Sequence, residues 1–139
     1  MAINLDNNLT LTGRIETTDL AKGLFKNSDG SRKLRFTLAV QDNFQSQGKP
    51  SKQDIPVEAF IPASMVKTDE NGHETYGIYS TLRTGDLVSI AGHVMDNNYE
   101  KDGKMVYGGI IIRVDAIKHR ESKTVSDMRA AQKNVAANA

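Results

Sequence analysis

Cysteine is absent from the 139 residues, and so is tryptophan. Without thiols the chain forms neither disulfides nor thiolate metal sites. Proline occurs three times and aromatic residues make up only 6% of the sequence, so each aromatic that reaches a surface needs its own explanation. No apolar run approaches the ~20 residues needed to span a bilayer. The opening stretch MAINLDNNLT has neither the basic start nor the apolar core of a secretory leader. A cytoplasmic location with no membrane partner is therefore the expectation. A large excess of one charge is missing as well: 18 basic side chains face 17 acidic ones, a net +1. Attraction to a polyanion is not written in that total, and any basic site has to be a local patch. His73, His93 and His119 are scattered, GHET lacks the paired spacing of a helical metal motif, and no glycine-rich phosphate loop follows a strand. No enzyme, no cofactor and no metal are expected.

What is present is alternation. In RKLRFTLAVQDNF, Arg32 to Phe44, the residues Leu34, Phe36, Leu38 and Val40 fall on one side of an extended strand, and Lys33, Arg35, Thr37, Ala39 and Gln41 fall on the other. The first set is a core face. The second is basic and short of bulk until Phe44, where the strand should be running out into a loop. Upstream, Leu9, Leu11 and Ile15, with Gly13 in phase, predict a strand whose outer face carries Thr10, Thr12, Arg14 and Glu16, bent or bulged at the glycine. A polar connection closing on Asp29-Gly30 makes the two strands a hairpin with a long loop.

After a flexible polar loop holding Lys49 and Lys52, a third strand from Asp54 to Ile61 turns Ile55, Val57, Ala59 and Ile61 inward and Pro56, Glu58 and Phe60 outward. Pro56 has no N–H to give, which places it at a strand start, a bulge or an edge. A helical turn in ASMVK, a turn-rich excursion around Asn71-Gly72 and a short helix within YGIYSTLRTG closed by Gly85 come next. A fourth strand then points Val88, Ile90 and Val94 inward, a hairpin turns through Asp102-Gly103, and a fifth strand, Met105 to Ile117, carries Val106, Ile110, Ile112 and Val114 in phase. The alanine-rich stretch from Ser122 onward reads either as a marginal helix or as a solvated tail.

Five strands with one short helix between the third and fourth predict an all-β chain with an OB-fold, a five-stranded Greek-key barrel whose outer strand surface and long loops bind oligonucleotides or sugars. The expected organisation is an N-terminal arm over 1–8, the barrel over 9–120 and a flexible or marginally helical tail over 121–139. Strand phase turns Phe60, Tyr99 and Tyr107 outward and joins them with Arg14, Lys33, Arg35 and Arg113 on outer faces. Bases stack on such rings while cations follow the phosphates. The alternative left open by the pattern is that Phe60 and Tyr107 cover a second small core or a subunit interface.

In their order and spacing, LTLTGRI, RFTLAVQDNF, IPVEAF, LRTGDLVSIAGHV and NYEKDGKMVYGGIIIRVDAI resemble the bacterial single-stranded DNA-binding protein family over most of Leu9 to Ile117. The resemblance implies that Phe44, Phe60 and Tyr99 stack on DNA bases and that Tyr107 holds a commonly aromatic position of the last strand. Three departures qualify it. Family members usually carry tryptophan at some of these positions, TDENGHETYG interrupts the region of the family's helix, and the last residues here, NVAANA, differ from the family's acidic, aromatic-tipped tail. Recruitment of other enzymes by the tail is accordingly not carried over, and a plasmid- or phage-encoded member is the closer match.

The resulting expectation is a protein that binds and protects single-stranded DNA with little sequence preference, in replication, recombination or plasmid or phage DNA transfer. Phosphates would be followed by Arg14, Lys33, Arg35, Lys49, Lys52 and Arg113. Single-stranded RNA is a weaker possible partner. Self-association is expected through the arm, where Ile3 and Leu5 alternate with polar residues and fit the edge or groove of a neighbour. The alternatives are an OB-fold adaptor that binds a polypeptide and an RNA-binding or primosome-type accessory protein.

Overall fold

The structure, a computed structural model, describes residues 5–46 and 48–138, with the side chains of 42–46, 49–50 and 133–138 excepted. In chain order the strands are β1 (Leu9–Ile15), β2 (Leu24–Lys26), β3 (Arg32–Ser46), β4 (Lys49–Ile61), β5 (Lys67–Thr68), β6 (Glu74–Thr75), β7 (Leu87–Asp96), β8 (Tyr99–Lys101), β9 (Lys104–Val106) and β10 (Ile110–His119), and α1 (Lys123–Asn138) follows. The main sheet runs β1-β7-β10-β4-β3-β2 and closes on itself where β1 also pairs with β3. Five strands thus form a barrel in the order β1-β3-β4-β10-β7, with β4 and β10 parallel and the other neighbours antiparallel. This is an OB-fold.

The alternating apolar residues supply its interior. Ile15, Leu34, Phe36, Leu38, Val57, Ala59, Ile61, Leu82, Val88, Ile90, Ile112 and Val114 form one buried cluster, and Leu9, Leu11, Val40, Ile55 and Val94 pack against it. Closure depends on Gly13: a Cβ there would lie 2.3 Å from the carbonyl oxygen of Ala39, so a side chain would push β1 and β3 apart. The expected bend is thus a point of close strand approach. Pro56 lies just outside the stretch Val57 to Ala59 that pairs with β10, so on that side it is at an edge.

Three expectations are corrected, and one left open between a helix and a solvated tail is decided. The segment with Lys49 and Lys52 is the start of β4, paired with the far end of β3, and not a loop. The helix between the third and fourth barrel strands is a five-residue 3-10 turn, Gly77–Thr81, ending before Gly85. The fifth strand is broken: β9 stops at Val106, and β10 restarts at Ile110 after Gly109, which holds φ +79°. Ile110 shares the core phase but pairs with Asp96 at the barrel rim, where nothing covers it, so it is exposed. Finally, 123–138 are helical and the helix docks on the barrel: Ser122 caps it by accepting from the Val125 N–H, and the Ser126 hydroxyl donates to the buried Asp86 carboxylate at 2.7 Å.

At the other end of the chain, the Asn7 side chain continues the sheet where β1 stops. Its amide donates to the Val94 carbonyl at 2.8 Å and accepts from the Val94 N–H at 2.9 Å. The expected arm is therefore fastened to the barrel at Asn7. Ile3 lies outside the described residues, and Leu5 is almost fully exposed.

Candidate nucleic-acid interface

Cross-strand register assembles the site on the outer face of β2, β3, β4 and β10. Residues directly opposite one another share a face, and two rows result. In the first, Phe25 faces Lys33 and Lys33 faces Phe60. In the second, Arg35 faces Glu58, Glu58 faces Arg113 and Arg113 faces His93.

The second row is organised by Glu58, which strand phase turns outward as expected but which three cations cover until it is only 5% exposed. Arg35 Nε donates to one carboxylate oxygen at 3.0 Å, Arg113 Nη2 donates to the other at 2.8 Å, and Lys33 Nζ stands 3.8 Å away. Burial alone would raise the Glu58 carboxyl. The bonds from Arg113 and Arg35 and the charge of Lys33 outweigh it and hold the group below its ordinary range. Three cations thus share one carboxylate, and the excess positive charge faces solvent. Arg113 Nε is buried and, among the described residues, is the side-chain polar atom left without a hydrogen-bond partner. His93 is engaged separately, with Asp115 at 3.0 Å.

The aromatic residues of the site are open. Phe60 is 45% exposed, Tyr99 54% and Tyr107 79%. Tyr99 stands on an arm formed by β8 and β9, which turns through Asp102 (φ 54°) and Gly103 (φ 76°), the left-handed pair of a tight hairpin. That arm leaves the barrel between β7 and β10, the strands carrying His93 and Arg113. Tyr107 lies in the break between β9 and β10.

Not every expected residue joins this face. Arg14 pairs across to Leu87 and Ala39, and its guanidinium donates to the Gly85 carbonyl at 3.0 Å and to Glu121 at 3.2 Å, at the foot of α1. Lys52 is held between Glu16 and Asp54. These two cations are neutralised in place. The side chains of Phe44 and Lys49 lie outside the described residues; their backbones are in β3 and β4, where those strands extend past the barrel.

Phe25 was not among the sequence candidates. Its strand has only three residues, too few for alternation to stand out, and the polar run around it reads as loop. The available signal was the Asp29-Gly30 turn, with Leu24 and Phe25 preceding it as Lys33 and Leu34 follow it. Phe25 is 48% exposed, and the Arg35 guanidinium carbon lies 5.9 Å from its ring centroid.

Among the described residues there is no group of three His, Cys, Asp or Glu side chains placed to hold a metal ion, and no helix is long and apolar enough to cross a membrane. Compared with known proteins, the sequence matches no family model and no curated protein.

Proposed function

We propose that the chain is a cytoplasmic protein of the single-stranded DNA-binding kind, which holds and protects single strands with little sequence preference and leaves them chemically unchanged. The observation that carries this reading is the register: it sets an open aromatic, Phe60, beside Lys33, Arg35 and Arg113 on the outer strand face of an OB-fold, with one carboxylate among three cations. A base stacks on an exposed ring whatever its identity, and guanidinium and ammonium groups follow the phosphates. The Arg113 side chain is about one-third exposed, and its guanidinium N–H groups not engaged with Glu58 are donors of the kind that phosphate oxygens accept. Tyr99 on the arm and Tyr107 just past its end add further open rings. Replication, recombination or transfer of plasmid or phage DNA are the settings that need such a coat, single-stranded RNA is a weaker ligand, and a second copy of the chain associates through the N-terminal arm.

A second reading, an adaptor that binds a polypeptide, is favoured by one observation: Met105 on the β8–β9 arm and Ile110 at the start of β10 are exposed apolar side chains. Fluorescence titration separates the two. Labelled oligothymidylate should bind most tightly, single-stranded RNA of equal length more weakly and duplex DNA least. Failure of the full chain to bind oligothymidylate at low salt would sink the proposal.

A further inference from the structure

The row that begins at Phe60 does not end at the barrel. Across it lies Lys33, and across Lys33, on the three-residue strand β2 outside the barrel, lies Phe25. We infer that Phe25 is a second base-stacking site, so that a bound single strand crosses the sheet from Phe60 over Lys33 to Phe25 and leaves the barrel along the β2–β3 hairpin. This rests on the single-strand reading above.

Three observations support it. Phe25 keeps nearly half its surface open although it belongs to a short strand beside a buried core, so its ring presents flat apolar surface to solvent. Its neighbours are cations: Lys33 sits in register between the two rings, and the Arg35 guanidinium approaches the Phe25 ring while its Nε is held by Glu58. A lysine between two aromatics suits a phosphate between two bases. It does not suit the centre of a protein–protein contact, where lysine is depleted. The spacing also fits. Two strand-to-strand steps of ~4.8 Å put Phe25 and Phe60 about 10 Å apart, two to three nucleotide steps at the stacked rise of ~3.4 Å and fewer in an extended strand. One short oligonucleotide therefore reaches both.

The absence of tryptophan makes the test clean, because Phe25→Trp and Phe60→Trp each introduce a single indole. Titration with oligothymidylate should quench both emissions. Phe25→Leu, which keeps an apolar side chain but removes the flat ring, should lose about 5- to 10-fold in affinity, the low end of a stacking loss because the Arg35 guanidinium already lies against the ring. Phe25→Tyr should restore it, with unchanged thermal melts throughout. If the Phe60→Trp variant is quenched while the Phe25→Trp variant is not, or if Phe25→Leu binds like the parent, the second site is wrong and the first stands. A change in oligomeric mass without a change in affinity would make Phe25 a subunit contact and overturn the inference. If the parent itself does not bind oligothymidylate, both readings fall.

Discussion

Two buried carboxylates organise the outside of this barrel, Glu58 on the β3–β4–β10 face and Asp86 at the base beneath α1. Around Glu58 stand Lys33, Arg35 and Arg113, with no second carboxylate bonded to any of them among the described residues. Around Asp86 the charges balance. Asp86 accepts from the Arg83 N–H at 3.0 Å, the Ser126 hydroxyl at 2.7 Å and Arg129 at 3.4 Å, while Glu121 takes Arg14, Arg129 and the Leu87 N–H, and Asp127 takes Arg83. Both regions contain arginines held by carboxylates. They differ in the ratio, three cations to one anion on the face against three arginines to three acids at the base. They also differ in what lies alongside, open phenylalanines on the face and a docked helix at the base. The face has more cations than carboxylates and open rings beside them, whereas at the base each of these arginines is matched by a carboxylate.

That contrast predicts which variants lose stability and which lose binding. The largest effect should come from Asp86→Asn. The amide offers one acceptor oxygen where two carboxylate oxygens each take a donor, and it leaves Arg129 facing a neutral group in a site 2% exposed. Breaking a buried charged network costs about 3 kcal/mol, which should lower the melting temperature by about 10 °C. Measured well below that melt, affinity for oligothymidylate should be that of the parent. If affinity falls too, the base and the face are not independent.

Phe60→Ala should do the reverse. The ring is nearly half exposed, so thermal melts should move little, but loss of a stacking platform costs about 1–3 kcal/mol of binding. Tyr99→Ala should behave alike, because its ring stands on an arm outside the core. Parent-like binding by both variants would mean that the exposed rings serve some other surface.

A third variant weighs the cations themselves. Glu58→Gln removes the one carboxylate that Lys33, Arg35 and Arg113 share, keeping the side chain's shape. Because the amide oxygen serves one donor where two were served, stability should fall by about 1–2 kcal/mol. Each cation set free to meet a phosphate should steepen the plot of log affinity against log salt by roughly 0.7. An unchanged slope would show that these side chains do not reach the backbone of the strand.

The interior of the barrel was readable because period-two alternation persists across β1, β3, β4 and β7 and fixes the buried face of each, and the fold class was readable from five such strands with a short helix before the fourth. The break after Val106 was not readable. Val106 and Ile110 are even positions like Ile112 and Val114, so the phase carries across residues 107–109, where the strand is interrupted and Gly109 takes a left-handed φ. The same limit applies to Glu58. Phase turned it outward correctly, but burial under three cations is set by residues 23 and 55 positions away, a relation no local pattern contains. The helix 123–138 was ambiguous for a related reason. Its alanines give it propensity, and its attachment comes from polar groups, Ser126 and Arg129, whose shared partner Asp86 lies 40 and 43 positions away in the turn before β7.

Acid should distinguish the two regions least, and this is the smallest effect expected. Burial would raise Glu58 and Glu121, but in each case the bonded donors outweigh it and the folded carboxyl lies below its ordinary value. At Glu58 these are Arg113 and Arg35, and at Glu121 the Leu87 N–H leads, followed by Arg129. Near the β5–β6 hairpin, the hydrogen bond from Arg32, joined by the Tyr76 hydroxyl, lowers the Glu74 carboxyl from 4.5 to about 2. A group whose folded value is depressed contributes stability that is complete above its ordinary value and is lost as the pH falls through the folded one. Melting temperature should therefore show no loss from these carboxylates between neutral pH and about 5, and should decline below 4.5, with the Glu74 share lost progressively from 4.5 down to about 2. Glu74→Gln should make the decline shallower between pH 4.5 and about 2 and leave oligothymidylate binding at neutral pH as it was, since Glu74 pairs with Arg32 and Lys26 and with none of the face cations. Loss of binding in this variant would show that the β5–β6 hairpin takes part in holding the strand. A decline in stability already complete above pH 5 would mean that these carboxylates are not held down by their cations.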